Sequence, residues 1–315
     1  MLTMFTGRPG RIQPIWAFVL SALLSVMAFL VAGYSAAAIA GDHVLRFEAI
    51  FRPLLAGLLL AIFSWLLTVG NHAEDHRIAA QGLPVKRGWI RQFFVGSAFG
   101  LLLVALAVLP LGIWGNLSFR TTLTLHSAPR ILAVVVVLVS GALAEELMFR
   151  GYPFQRLVEG IGAPGAIVVF SILFGVVHLS NPGASVWGLI NTVAIGVLLS
   201  IAYLRTRSLW LPWGFHFAWN TTLGLLLGLP VSGLRLFNVA VHGAAVGPKW
   251  LTGGSYGVEA SAPGAFAIGV GLIVAWKAPI NRLEDPIAFP APENGPETEL
   301  PNITNSCHCD SRLGI

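Results

Sequence analysis

The feature that most constrains this chain is a series of apolar runs, each about twenty residues long and nearly free of charge, such as 93–114 (FFVGSAFGLLLVALAVLPLGIW). A helix needs about 20 mostly apolar residues to cross the hydrocarbon of a bilayer. An open sheet would leave unpaired N–H and C=O groups in lipid, so strands cannot supply such runs. Eight segments qualify or nearly do: about 14–40, 49–70, 93–114, 131–157, 163–180, 185–204, 209–229 and 264–278. The predicted fold is all-α, a polytopic membrane bundle of about eight transmembrane helices. Composition agrees, with 10% charged residues against the roughly 25% that clothe a soluble domain. The lipid bilayer is therefore an expected partner.

The +5 net charge does not point to nucleic acid, because the basic residues are spread over the loops and form no dense phosphate-binding face. They orient the chain instead. With the N-terminus inside, thirteen Lys and Arg fall on cytoplasmic segments and six on outer ones, which places both termini in the cytoplasm. The arginine- and alanine-rich composition points to a bacterial inner (plasma) membrane. Arg8, Arg11 and the following run resemble a signal peptide, but Ile15 to Ala40 is too long for such a core and reads as an uncleaved anchor. Residues 1–278 form one transmembrane domain, with a core at about 130–225. Residues 71–92 read as a polar linker with Trp89 at the headgroups, and 230–263 as an outer loop in which His242 and Glu259 are solvated. The tail 279–315 holds six prolines and several acids, a composition that predicts disorder. Its Cys307-His308-Cys309 reads as incidental, and with no other cysteine the core has no disulfide framework.

An ionisable group inside a membrane helix is costly unless paired, so each is a functional candidate. All four Asp lie in loops or the tail; of ten Glu only Glu145 and Glu146 sit in an apolar helix, and of eight His only His178 and His216. Glu146 and Arg150 are i,i+4 and form a predicted neutralising pair. Glu145 is rotated about 100° from Glu146 and faces another partner. The midpoint of positions 145 and 178 falls within Gly160-Ile161-Gly162, the turn expected between segments four and five. Glu145 and His178 are thus predicted to face each other at one depth. His216 and Asn220, also i,i+4, share a face and suit donation to an oxygen that gains charge. Phe174, one turn before His178, is expected to pack the imidazole in place.

Several chemistries fall away. There is no His-Glu-x-x-His for a zinc site of the usual protease kind, no pair of buried Asp, and Gly183-Ala184-Ser185-Val186 lacks the last glycine of a rhomboid-like serine motif. What remains is a carboxylate and an imidazole that activate water, with Glu145 or His178 as general base and His216 and Asn220 on the oxyanion. Two other uses of the cluster stay open: a non-enzymatic transporter's ion path, or a scaffold's polar glue.

At these residues the chain resembles the CPBP intramembrane glutamic peptidases, which include the type II CAAX prenyl endopeptidases and the bacteriocin-processing and immunity (ABI) proteins. The family motifs Glu-Glu-x-x-x-Arg, Phe-x-x-x-His and His-x-x-x-Asn read here as Glu145-Glu146-Leu147-Met148-Phe149-Arg150, Phe174-Gly175-Val176-Val177-His178 and His216-Phe217-Ala218-Trp219-Asn220. The resemblance covers about 130–225 closely; Gln81-Gly82-Leu83 and Gly257-Val258-Glu259 are looser echoes. It implies an endopeptidase acting on a membrane-associated peptide or protein. Glu145 with His178 would activate water, His216 and Asn220 would form the oxyanion hole, and Glu146, Arg150 and Phe174 would support them. It also implies eight helices around a cavity open to the cytoplasm. No metal or other cofactor is expected, because Arg150 occupies one carboxylate and Asn is a poor ligand. A zinc-dependent variant, with the two His and two Glu as ligands, is the alternative.

Overall fold

The computed structural model describes residues 6–8, 11–12, 14–40, 55, 58–59, 62, 81–124, 127–235, 237 and 239–279. The tail from 280, including Cys307 and Cys309, and nearly all of segments 49–70 and 71–80 lie outside them. Within them the chain is helical. A short ribbon pairs β1 (Thr6–Arg8) with β2 (Arg11–Ile12) ahead of α1 (Pro14–Ala40). Then come α2 (Trp89–Ile113), β3 (Leu117–Thr121), α3 (Ala128–Arg150) and α4 (Tyr152–Val177). The second half holds α5 (Val186–Thr206), α6 (Trp210–Thr221), β4 (Val241–Ala245), α7 (Lys249–Thr252) and α8 (Ala262–Lys277). β3 and β4 form the second antiparallel ribbon.

Among the described residues, four helical stretches are long and apolar enough to cross a membrane: Ile15–Ala32, Trp89–Ile113, Ala128–Ser180 and Val186–Thr206. The third spans 53 residues and contains both α3 and α4. Ala262–Lys277 is shorter, and α6 has only 12 residues. Large apolar side chains point outward along these helices, among them Leu102, Leu132, Val168 and Phe266. In water such a girdle would be costly; against acyl chains it costs nothing, so the helices are built for lipid.

Segment four differs from the expectation. A single helix over 131–157 is predicted, but α3 stops at Arg150, and Gly151 takes a non-helical φ of −74° and ψ of −144°. Pro153 then starts α4 within its first two positions, where its missing N–H is harmless. The expected turn at Gly160-Ile161-Gly162 becomes a kink inside α4, where Gly162 takes φ 82°. The chain thus breaks twice, and the arm between (Tyr152, Phe154, Leu157) is buried. Trp89, expected at the headgroups, opens α2 and packs on Trp210 with ring centroids 4.3 Å apart. α5 and α8 begin at N-caps Ser185 and Ser261, which accept from the Gly188 and Gly264 amides.

α6 carries His216 and Asn220, and its position is set by α2. The two helices touch backbone to backbone. A methyl group at Gly96 would collide with the Leu211 carbonyl oxygen, one at Gly214 with that of Phe93, and one at Gly100 would press on that of Phe215 at 2.5 Å. Gly96 and Gly100 are i,i+4, the small-xxx-small spacing that allows close helix approach in membranes. Phe99 and Phe215 (5.4 Å) and Phe93 and Trp213 (5.0 Å) flank this seam. Gly96→Ala is expected to cost about 1–3 kcal/mol, the usual range for forced overpacking, read as a lower melting temperature in detergent. An unchanged melting temperature would show that the seam relaxes.

Candidate active site

The last two turns of α3 carry Glu145, Glu146 and Arg150. Glu146 and Arg150 are fully buried and paired at 3.2 Å (Nη1 to Oε1), as the i,i+4 spacing predicts. Arg150 also donates through Nη2 to the Gly196 carbonyl at 3.1 Å. Its guanidinium lies 4.6 Å from the centroid of the Phe174 ring, a cation–π arrangement. Glu146 Oε1 accepts a second hydrogen bond, from His216 Nδ1 at 2.8 Å, and this ties α3 to α6. One carboxylate oxygen thus serves a guanidinium and an imidazole, and the buried charges are compensated.

Glu145 is half-buried, and its Oε2 is enclosed with no hydrogen-bond donor among the described residues. The imidazole in contact with it is His216, whose Nε2 stands 3.8 Å from Oε2. His178 sits in the 3-10 turn that ends α4, half-buried, with its ring 4.7 Å from that of Phe174. Its Nδ1 lies 2.6 Å from the Phe174 carbonyl oxygen. A carbonyl only accepts, so Nδ1 carries the proton and Nε2 is left as the free acceptor in the neutral ring. Phe174 therefore does more than the expected packing: its ring covers Arg150 and its backbone sets the tautomer of His178.

Glu145, Phe174, His178, His216 and Asn220 all line one cavity of about 750 Å³, whose other walls are mostly apolar. The structure thus brings the expected residues together from three elements. Glu145 and His178 both line the cavity, but among the described residues no ion pair joins them, and the ring beside Glu145 is His216 rather than the His178 expected to face it. Glu145, His178 and Asn220 are half-buried, whereas Glu146, Arg150 and Phe174 are buried behind them.

Glu259 corrects an expectation. Read from the sequence as a solvated loop residue, it is 4% exposed and borders the same cavity. It accepts from Trp219 Nε1 at 3.0 Å and from the backbone amide of Ser232. Burial raises its carboxyl above the usual carboxylate range, and these donors draw it part of the way back. A signal for it existed, since it is the only acidic residue between Glu159 and Glu284. His242 is exposed as expected, with Thr122 3.2 Å from its ring.

Residues 127–222 match the family model described as Type II CAAX prenyl endopeptidase Rce1-like. This stretch contains all three motifs. The chain is also similar to "Putative membrane peptidase YdiL" of Bacillus subtilis (strain 168), 30% identical over 100 residues, which are 32% of this chain and 39% of that protein. The match thus spans about two fifths of that relative's length. No solved structure matches the chain. With helices apolar and long enough to cross a bilayer and its motifs gathered on one cavity, the chain is an integral membrane protein that over residues 127–222 is similar to the Rce1-like type II CAAX prenyl endopeptidases.

Proposed function

We propose that the protein is an intramembrane peptidase that hydrolyses a peptide bond of a membrane-associated peptide or protein with a water activated by Glu145 and His178. The observation that carries this reading is the Glu145 carboxylate, whose Oε2 has no donor and which borders the same cavity as the free Nε2 of His178. A base needs an unengaged lone pair within reach of a water, and these two groups have one each. Water gives its proton to Glu145, with His178 Nε2 as the second acceptor, and its oxygen bonds to the scissile carbonyl carbon. The carbonyl oxygen gains the charge and is met by Asn220 and His216. His216 holds Nδ1–H toward Glu146, so it must also carry a proton on Nε2 to donate there. The C–N bond then breaks as the proton on Glu145 passes to the leaving nitrogen.

The substrate enters a largely apolar cavity, which suits a segment already dissolved in the bilayer. The distribution of Lys and Arg favours both termini in the cytoplasm of a bacterial cell. The direct test compares membrane proteomes of cells carrying wild type and Glu145→Ala. A peptide that accumulates uncleaved in the variant is the expected result, and identical proteomes would sink the reading. Flux of a small solute in proteoliposomes, without hydrolysis, would favour a transporter instead.

A zinc-dependent reaction would need Glu145 and the two free imidazole nitrogens on one ion. Among the described residues no three His, Cys, Asp or Glu side chains are grouped to hold a metal. We propose a metal-free route on the donor set itself, since Arg150 engages Glu146 and Asn220 is a poor ligand, and cleavage of the accumulating peptide is expected to survive EDTA and 1,10-phenanthroline. Loss of activity with chelator, restored by zinc, would replace this route with the metal one.

A further inference from the structure

Glu259 is a buried carboxylate on the cavity wall that the proposed reaction does not use. It lies in the 3-10 turn Val258–Ala260, just before α8. No ion pair reaches it among the described residues. Instead it braces three elements. Trp219 of α6 donates its indole N–H to Oε1 at 3.0 Å, and the Ser232 amide donates to Oε2. Asn191 of α5 fixes the turn itself by donating to the carbonyls of Glu259 (2.8 Å) and Ser261 (3.2 Å). Ser232 holds a φ of 46°, a conformation a non-glycine residue keeps only where its surroundings impose it.

The point of attachment on α6 matters. Trp219 follows His216 by three residues and precedes Asn220 by one. Directly beyond, the α-helix gives way to a π-turn over Thr222–Leu226. There the i→i−5 bond replaces i→i−4, a widening that occurs mostly as single turns at functional sites. The regular i→i−4 ladder therefore ends just beyond Asn220. Thr221 Oγ1 is buried without a partner and offers no anchor. Beside the packing of α2, the lateral hydrogen bond at this level among the described residues is that of the Trp219 indole to Glu259.

We propose that Glu259 is a positioning residue: acting through Trp219, it holds the end of α6 so that Asn220 faces the carbonyl under attack. The proposal rests on the peptidase reading. A carboxylate suits this place because it accepts from two donors on different elements at once. A glutamine would present its NH2 to one of them.

The test uses full-length protein in detergent and, as probe, a quenched fluorescent copy of the peptide that accumulates in Glu145→Ala cells. Removing an oxyanion donor outright costs about 10²–10³ in kcat. Glu259→Gln, which misplaces Asn220 rather than removing it, is expected to lower kcat by about 10-fold or more with KM little changed. In an Asn220→Ala background the same substitution is expected to add no further loss. A merely structural carboxylate would lower kcat by the same factor in both backgrounds, and that result overturns the proposal. So does an unchanged kcat in Glu259→Gln. Trp219→Phe breaks the same bond from the other side and carries the test if Glu259→Gln does not fold; it too should lose its effect when Asn220 is Ala. The peptidase reading fails separately, by the absence of any accumulating peptide or by full activity in Glu145→Ala.

Discussion

Glu145→Ala is expected to reduce hydrolysis by on the order of 10²–10⁴-fold, the contribution typical of a positioned general base, while leaving the fold and membrane insertion intact. Both halves follow from the same atoms. Oε2 has no donor, so its removal breaks no hydrogen bond of the native state. Oε2 also lies 3.8 Å from His216 Nε2, too far for a hydrogen bond. Its loss should be felt first where a water must give up its proton, and only weakly through the 3.8 Å ion pair with a protonated His216. The checks are single-turnover cleavage in detergent and a melting curve of the same preparation. Retained cleavage in a well-folded variant would move the base to His178. A collapsed melting temperature would mean that Glu145 holds the structure together and that its catalytic assignment is an artefact of unfolding.

Arg150→Met should do the reverse and attack the fold first. The guanidinium is fully buried and is shared among Glu146, the Gly196 carbonyl and the Phe174 ring. Removing it leaves the Glu146 charge in an apolar interior with the His216 Nδ1–H as its remaining donor. Breaking a buried pair from one side costs about 3–5 kcal/mol, a large share of the margin of a folded protein. The expected result is a steep fall in melting temperature and in yield from membranes. Adding Glu146→Gln removes the orphaned charge and should recover most of that stability. If Arg150→Met melts like wild type, or if the second substitution rescues nothing, the pair is not what compensates this interior.

Much of this arrangement is legible in the sequence because lipid imposes strict rules. Every outward residue of a spanning helix must be apolar, so α1, α2 and α5 announce themselves by run length, and a carboxylate within a run stands out. Local geometry is equally readable: Glu146 and Arg150 meet because i and i+4 always meet on a helix. The break at Gly151 was hidden, since Phe149, Tyr152 and Phe154 keep the run apolar while the backbone turns through it. Hydropathy counts side chains and is blind to a dihedral; the nearby Gly151 and Pro153 were the only local sign. The rotation of α6 about its axis was also beyond reach. Matching depths along an assumed hairpin pairs Glu145 with His178, and it cannot say that His216 is the ring beside Glu145. Glu259 was missed for the same reason. Its loop approaches the cavity only through tertiary contacts with Trp219, Ser232 and Asn191, none of which leaves a periodic trace.

The glycine seam between α2 and α6 divides the cavity's surroundings by stiffness. Where Gly96, Gly100 and Gly214 bring main chains together, no side chain stands between to swing aside. That wall is a spine and moves as one piece with His216. Val26 and Leu30 of α1 also line the cavity. A peptide that enters by displacing such apolar side chains would leave the reactive geometry on α6 undisturbed.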